Sequence, residues 1–182
     1  MTNSWPIVFT EADTAGLTGP HNDPLVVELE FGGSMVTKIL IDTGSSINVI
    51  FKDELIQMRS IYGRPSSMYN LSPDSTVTQF VPVYVGGMMH CINFTIIDKL
   101  IVYNVIRGTP WLHKMKAVAS TYHQCVKFPT SRGIFTLRGD SLVARTCFII
   151  ERQQRSARTF TISDPAEQRM VVFARTQNQS SK

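Results

Sequence analysis

Ile39-Leu40-Ile41-Asp42-Thr43-Gly44-Ser45-Ser46-Ile47-Asn48-Val49-Ile50-Phe51 reads ILIDTGSSINVIF, two apolar runs separated by one carboxylate and a turn of small residues. An ionised carboxylate at the end of a buried strand is costly unless it is paired or hydrogen-bonded. The turn offers a local remedy. Gly44 permits a tight reversal, Ser45 and Ser46 bring hydroxyls, and backbone N–H groups can point at the carboxylate. Asp42 therefore either ties its own turn, as Asp commonly does, or is an acid held for chemistry. Asp-Thr-Gly alone is a weak motif, so the decision rests on the rest of the chain.

Outward from that stretch, Leu25 to Phe31 (LVVELEF) and Met35 to Ile41 (MVTKILI) alternate and favour strands, with Gly32-Gly33 between them as a two-residue hairpin signal. Downstream, Ser46 or Asn48 is placed to cap a short helix over 48–58, where Val49, Ile50, Leu55 and Met58 recur on one face. Further strand-like runs fall at 76–85, 90–97, 101–106, 123–128, 133–138 and 141–150, separated by turn signals at 86–87, 98–99, 129–133 and 139–140. Pro110 opens a second short helix to about Lys116. Many short strands and few helices predict an all-β, barrel-like domain. It spans 25–150, after a loop-like entry segment at 1–24 and before a polar, Arg-rich tail at 151–182.

Bulk numbers fit this division. The 182 residues suffice for one domain with a core, and 43% hydrophobic against 18% charged is a globular balance. The net charge of +4 is mild, and Arg152, Arg155, Arg158 and Arg169 gather in the tail. That placement predicts a basic linker rather than a nucleic-acid-binding face; any nucleic-acid contact would run through the tail. Three cysteines cannot all pair within the chain, which favours a reducing compartment. The start, MTNSWPIVFT, lacks a basic segment followed by an apolar core, and no apolar run approaches the ~20 residues of a membrane span. A cytoplasmic location without membrane contact is expected. His90, Cys91, His123 and Cys125 match no zinc spacing, so neither metal nor other cofactor is expected.

Five segments in order bring a family into view: FTEADTAGLTGPHNDPLVV (9–27), ILIDTGSSINVIF (39–51), YNVIRGTPWLH (103–113), STYHQCVKFPT (120–130) and RGDSLVARTCF (138–148). Together they resemble the retropepsin-like aspartic proteases of long-terminal-repeat retrotransposons, most closely the gypsy-type elements of plants. The resemblance implies a closed, mostly β retropepsin-like barrel, one lobe per chain, with one or two short helices. It implies an endopeptidase that cleaves a Gag-Pol precursor, in the cytoplasm or in virus-like particles.

The implied chemistry needs two carboxylates. About 3 Å apart they cannot both ionise, so one takes a proton from water while the other donates to the substrate carbonyl. Asp42 is the only Asp followed by Thr-Gly, so the resemblance implies a homodimer in which two copies of Asp42 meet. It further implies that Thr43 bonds across the dimer axis, that Gly44 lets the backbone come close, and that Ser45 reaches an outer Asp oxygen. Val105, Ile106 and Gly108 would pack beneath the turn. Two departures count against activity. Arg107 replaces an apolar residue near the catalytic layer, where it would be costly to bury or would hold Asp42 ionised, and Thr109 replaces an Arg. The segment 71–82, where a substrate-covering flap belongs, has no Gly. The alternative is an inactive descendant that keeps the fold as a structural or protein-binding module.

Overall fold

Strands with one buried face form where apolar residues alternate, and the first two do so. The computed structural model describes residues 5–17, 22–62 and 77–157. Strand β1 (Val26–Phe31) pairs antiparallel with β2 (Ser34–Ile41). The turn between them is Gly32-Gly33, at φ of 53° and 94°, which only glycine adopts without strain. β3 (Val49–Phe51), β4 (Val77–Val85), β5 (Met88–Ile97) and β6 (Val105–Arg107) complete a closed barrel in the order β1-β2-β6-β3-β5-β4. β2 runs parallel to β6 and β3 parallel to β5, while β3 and β6 are antiparallel. The barrel closes where Glu30 and Phe31 face Tyr84 and Val83. A separate antiparallel sheet follows: β7 (Val118–Ser120), β8 (Cys125–Thr130) and β9 (Gly133–Arg138). Among the described residues a short 3-10 helix (Glu11–Thr14) and three α-helices accompany the strands: α1 (Lys52–Tyr62), α2 (Thr109–Met115) and α3 (Ser141–Ala157). The fold is mostly β around a closed six-stranded barrel, as expected.

Two expected elements differ. The helix expected over 48–58 begins at Lys52, because Val49, Ile50 and Phe51 are all buried as β3, wedged between β5 and β6. Tertiary pairing on both edges outweighs the helical spacing of those apolar residues. The run 141–150, expected as a strand, is the first part of the 17-residue helix α3. Asp140 Oδ1 accepts the N–H groups of Leu142 and Val143 at 2.9 Å each, a helix N-cap. Ala144 and Cys147, three residues apart, are fully buried, which is the helical period and not the strand one.

The barrel core is built from Val27, Leu29, Phe31, Ile39, Ile50, Val83, Phe94 and Val105, with Trp111 of α2 closing on it. The entry segment is anchored rather than loose. Lys127 of β8 donates to Val8 O and to Asp13 Oδ2, each at 2.8 Å; the ammonium also lies over the Phe9 ring at 5.0 Å. The lysine hydrogen bond, helped by the Thr10 N–H, holds the Asp13 carboxyl below the ordinary carboxylate range. The chain divides into two units, Met1–Glu151 and Arg152–Lys182, and of the second only the end of α3 is described. Among the described residues no helix is long and apolar enough to cross a membrane.

Candidate active site

β2 delivers Asp42 to one end of the barrel. Ile41 lies beside Arg107 in the parallel β2–β6 pair, and the Asp42 N–H donates to Arg107 O at 2.9 Å. The turn closes when Ser45 N–H reaches Asp42 O at 3.3 Å. Gly44 N–H donates to Asp42 Oδ1 at 2.9 Å, so the turn itself solvates part of the carboxylate. Asp42 is half-buried, with Thr43 and Gly44 exposed beside it. Asp42 lines a cleft of about 430 Å³ together with Leu40, Thr43, Tyr103, Phe148 and Glu151.

Beneath the turn, the chain after β6 fits against it with no room to spare. Ser45 O accepts both Thr109 N–H at 2.8 Å and Thr109 Oγ1 at 3.1 Å. A Cβ on Gly108 would stand 2.3 Å from Ile47 O and 2.5 Å from Ser45 O, so no other residue fits without opening the turn. Asn48 binds the layers together. Its Oδ1 accepts Gly108 N–H at 3.1 Å, its Nδ2 donates to Asn93 O at 3.2 Å, and its own carbonyl accepts Thr95 N–H at 2.8 Å. Asn48 is thus a buried cross-brace and not a helix cap. Ser45 Oγ, expected near an Asp42 oxygen, instead donates to Ile47 O at 2.8 Å. Val105 is buried in the barrel opposite Ile39, and Ile106 lies opposite Leu40 and Val49.

Arg107 is the buried cation foreseen, in surroundings that were not. It alternates inward with Val105, is fully enclosed, and none of its three guanidinium nitrogens has a hydrogen-bond partner. Its charge sits over the rings of Phe31, Phe94 and Trp111 at 5.1, 4.9 and 4.9 Å. Three π faces replace water as its solvent. Burial pushes its pKa down to about 9, so the group stays charged at neutral pH. It is the ring cage, and not Asp42, that holds the guanidinium.

A second cleft of about 300 Å³ is lined by residues that include Ser46, Ile47, Asn48, Phe80, Pro110 and Lys114. Of the segment expected to form a flap, 71–76 lie outside the described residues, and 77–82 are the first part of β4. Among the described residues no three metal-ligating side chains gather; His123 stacks on Phe9 at 5.0 Å and shares a hydrogen bond with Ser120 Oγ at 2.8 Å.

Sequence reasoning singled out Asn48 and Thr109 but not their bracing of the turn, and it missed the α3 residues at this site. Phe148 was hidden by reading 141–150 as a strand, and Glu151 by ending the domain at 150; the spacing of Val143, Ala144, Cys147 and Phe148 after Asp140 was the available signal.

No protein-family model matches the chain, and no curated protein sequence matches it. Among solved structures it is similar to the retroviral protease-like domain of Ddi1 from Leishmania major, with a TM-score of 0.49 and 15% identity, covering 66% of this chain and 99% of that one. It is also similar to a retropepsin-like aspartic protease from Rickettsia conorii, with a TM-score of 0.42 and 13% identity, covering 53% of this chain and 74% of the other.

Proposed function

We propose that the chain is a retropepsin-like aspartic endopeptidase of a gypsy-type retrotransposon polyprotein, working as a homodimer on Gag-Pol precursor peptides. The observation that carries the reading is the braced Asp42-Thr43-Gly44 turn, which follows a barrel strand and lines an open cleft. Arg107 does not count against it, since its guanidinium is held by rings within the barrel.

In this mechanism two copies of Asp42 meet and share one proton. The ionised member takes a proton from a water molecule as that water attacks the scissile carbonyl. The protonated member donates to the carbonyl oxygen, and the tetrahedral intermediate collapses once the leaving amine is protonated. Neither a covalent intermediate nor a metal is needed for these steps. Gly44 N–H fixes one oxygen of each carboxylate, which leaves the other free for water and substrate. Because one carboxyl must stay protonated, activity peaks at mildly acidic pH and falls on both sides.

The test is cleavage of an apolar peptide library between pH 4 and 7 by the wild type and by Asp42→Asn. Cleavage by the wild type alone supports the reading; equal cleavage by both, or none by the wild type at high concentration, removes it. The non-catalytic module is the reading that would then stand.

A further inference from the structure

Resting on the protease reading above, we infer that α3 is a fixed wall of the substrate cleft and that Phe148 sets the size of the side chain accepted beside Asp42. The helix is docked at several points. Asp140 N–H donates to Val26 O at 2.8 Å, and the Asp140 carboxylate caps the first turn. Ala144 and Cys147 are buried in a cluster with Val26 and Tyr103, and Arg145 Nε meets Asp23 Oδ2 at 3.1 Å. A helix held by its cap, an apolar face and an ion pair is part of the scaffold and not a loose lid.

One turn beyond those anchors, Phe148 and Glu151 line the same cleft as Asp42. Residues four apart on a helix are neighbours on one face; Phe148 follows buried Ala144 by four and Glu151 follows buried Cys147 by four, so each continues an anchored row of the helix. Phe148 is 38% exposed where it lines the cleft. With Leu40 and Tyr103 it gives the cleft an apolar lining next to the carboxylate. An extended peptide with an aliphatic side chain of leucine size fits such a lining, whereas an indole would compete with the Phe148 ring for space. The barrel strands supply the acid, and the helix supplies the gauge.

The experiment compares wild type, Phe148→Leu and Phe148→Ala on peptides that differ only in the residue adjoining the scissile bond: Leu, Phe or Trp. Melting temperatures establish that each variant is folded. The expected result is a rise of roughly tenfold in the kcat/KM ratio of Trp over Leu peptides for Phe148→Ala. The change should be carried mainly by KM, with Phe148→Leu intermediate. An unchanged ratio, or an equal fall for every peptide, overturns the inference. If the wild type cleaves nothing, the protease reading fails separately. The wall is then judged by binding of the same peptides to Asp42→Asn and to the double variant with Phe148→Ala. A shift in preference toward Trp supports it, and identical profiles or no binding overturn it.

Discussion

Arg107 and Gly108 sit next to each other, and changing them is expected to move stability in opposite directions. Arg107 places a charge with no hydrogen-bond partner inside an apolar barrel, and exchange of buried ionic groups for apolar ones of similar size is often stabilising. Arg107→Leu is therefore expected to raise stability by about 1–4 kcal/mol, read as a higher melting temperature. The pH dependence has a definite sign. Below about 9 the arginine is protonated whether folded or unfolded, and the penalty is constant. Above that value the unfolded chain binds more protons, so wild-type stability gains relative to the variant as pH rises. The advantage of Arg107→Leu should be full at pH 7 and narrow above pH 9; an Arg107→Leu protein less stable at pH 7 would show that the three ring contacts outweigh the desolvation of the buried charge. Gly108→Ala brings its new methyl against two backbone carbonyls and is expected to cost about 3 kcal/mol, measured by urea unfolding. At this scale the sequence was informative about Asp42, because the turn's chemistry is local. It was silent about the cage, since Phe31, Phe94 and Trp111 come from elements far apart in the chain.

The elements divide along a similar line. Hairpins announced themselves: Gly32-Gly33 and Gly86-Gly87 each join two strands that pair antiparallel. β3 and α3 did not, because an apolar run such as VIF or LVA is compatible with either period until its neighbours are known. The anchoring of the entry segment to β8 was equally hidden, as Lys127 and Asp13 lie 114 residues apart. That pair makes an acid-sensitive clasp. The folded Asp13 carboxyl titrates below its ordinary value of 3.8, so its contribution is present above that value and is lost as pH falls through the folded pKa. Asp13→Asn should lower the melting temperature at pH 7 and flatten its decline below pH 4. Equal acid profiles for the two proteins would show that the clasp contributes nothing.

For the whole molecule, one chain brings one Asp42 to a cleft, and the proposed chemistry needs two. The barrel and its acid-bearing turn were legible because they depend on strand patterning and one tight turn. The proposed pairing of copies rests on the single Asp-Thr-Gly and the resemblance rather than on strand patterning, because a pairing is a property of a surface and not of any element. Subunit mixing tests the central claim most directly. Wild-type protein is held at a fixed concentration and incubated with increasing Asp42→Asn before peptide cleavage is measured. If the site is shared, mixed dimers carry a single carboxylate, and a ninefold excess of the variant cuts activity to roughly one tenth by random pairing. Wild-type activity that persists unchanged under that excess would contradict a dyad built from two copies of this chain.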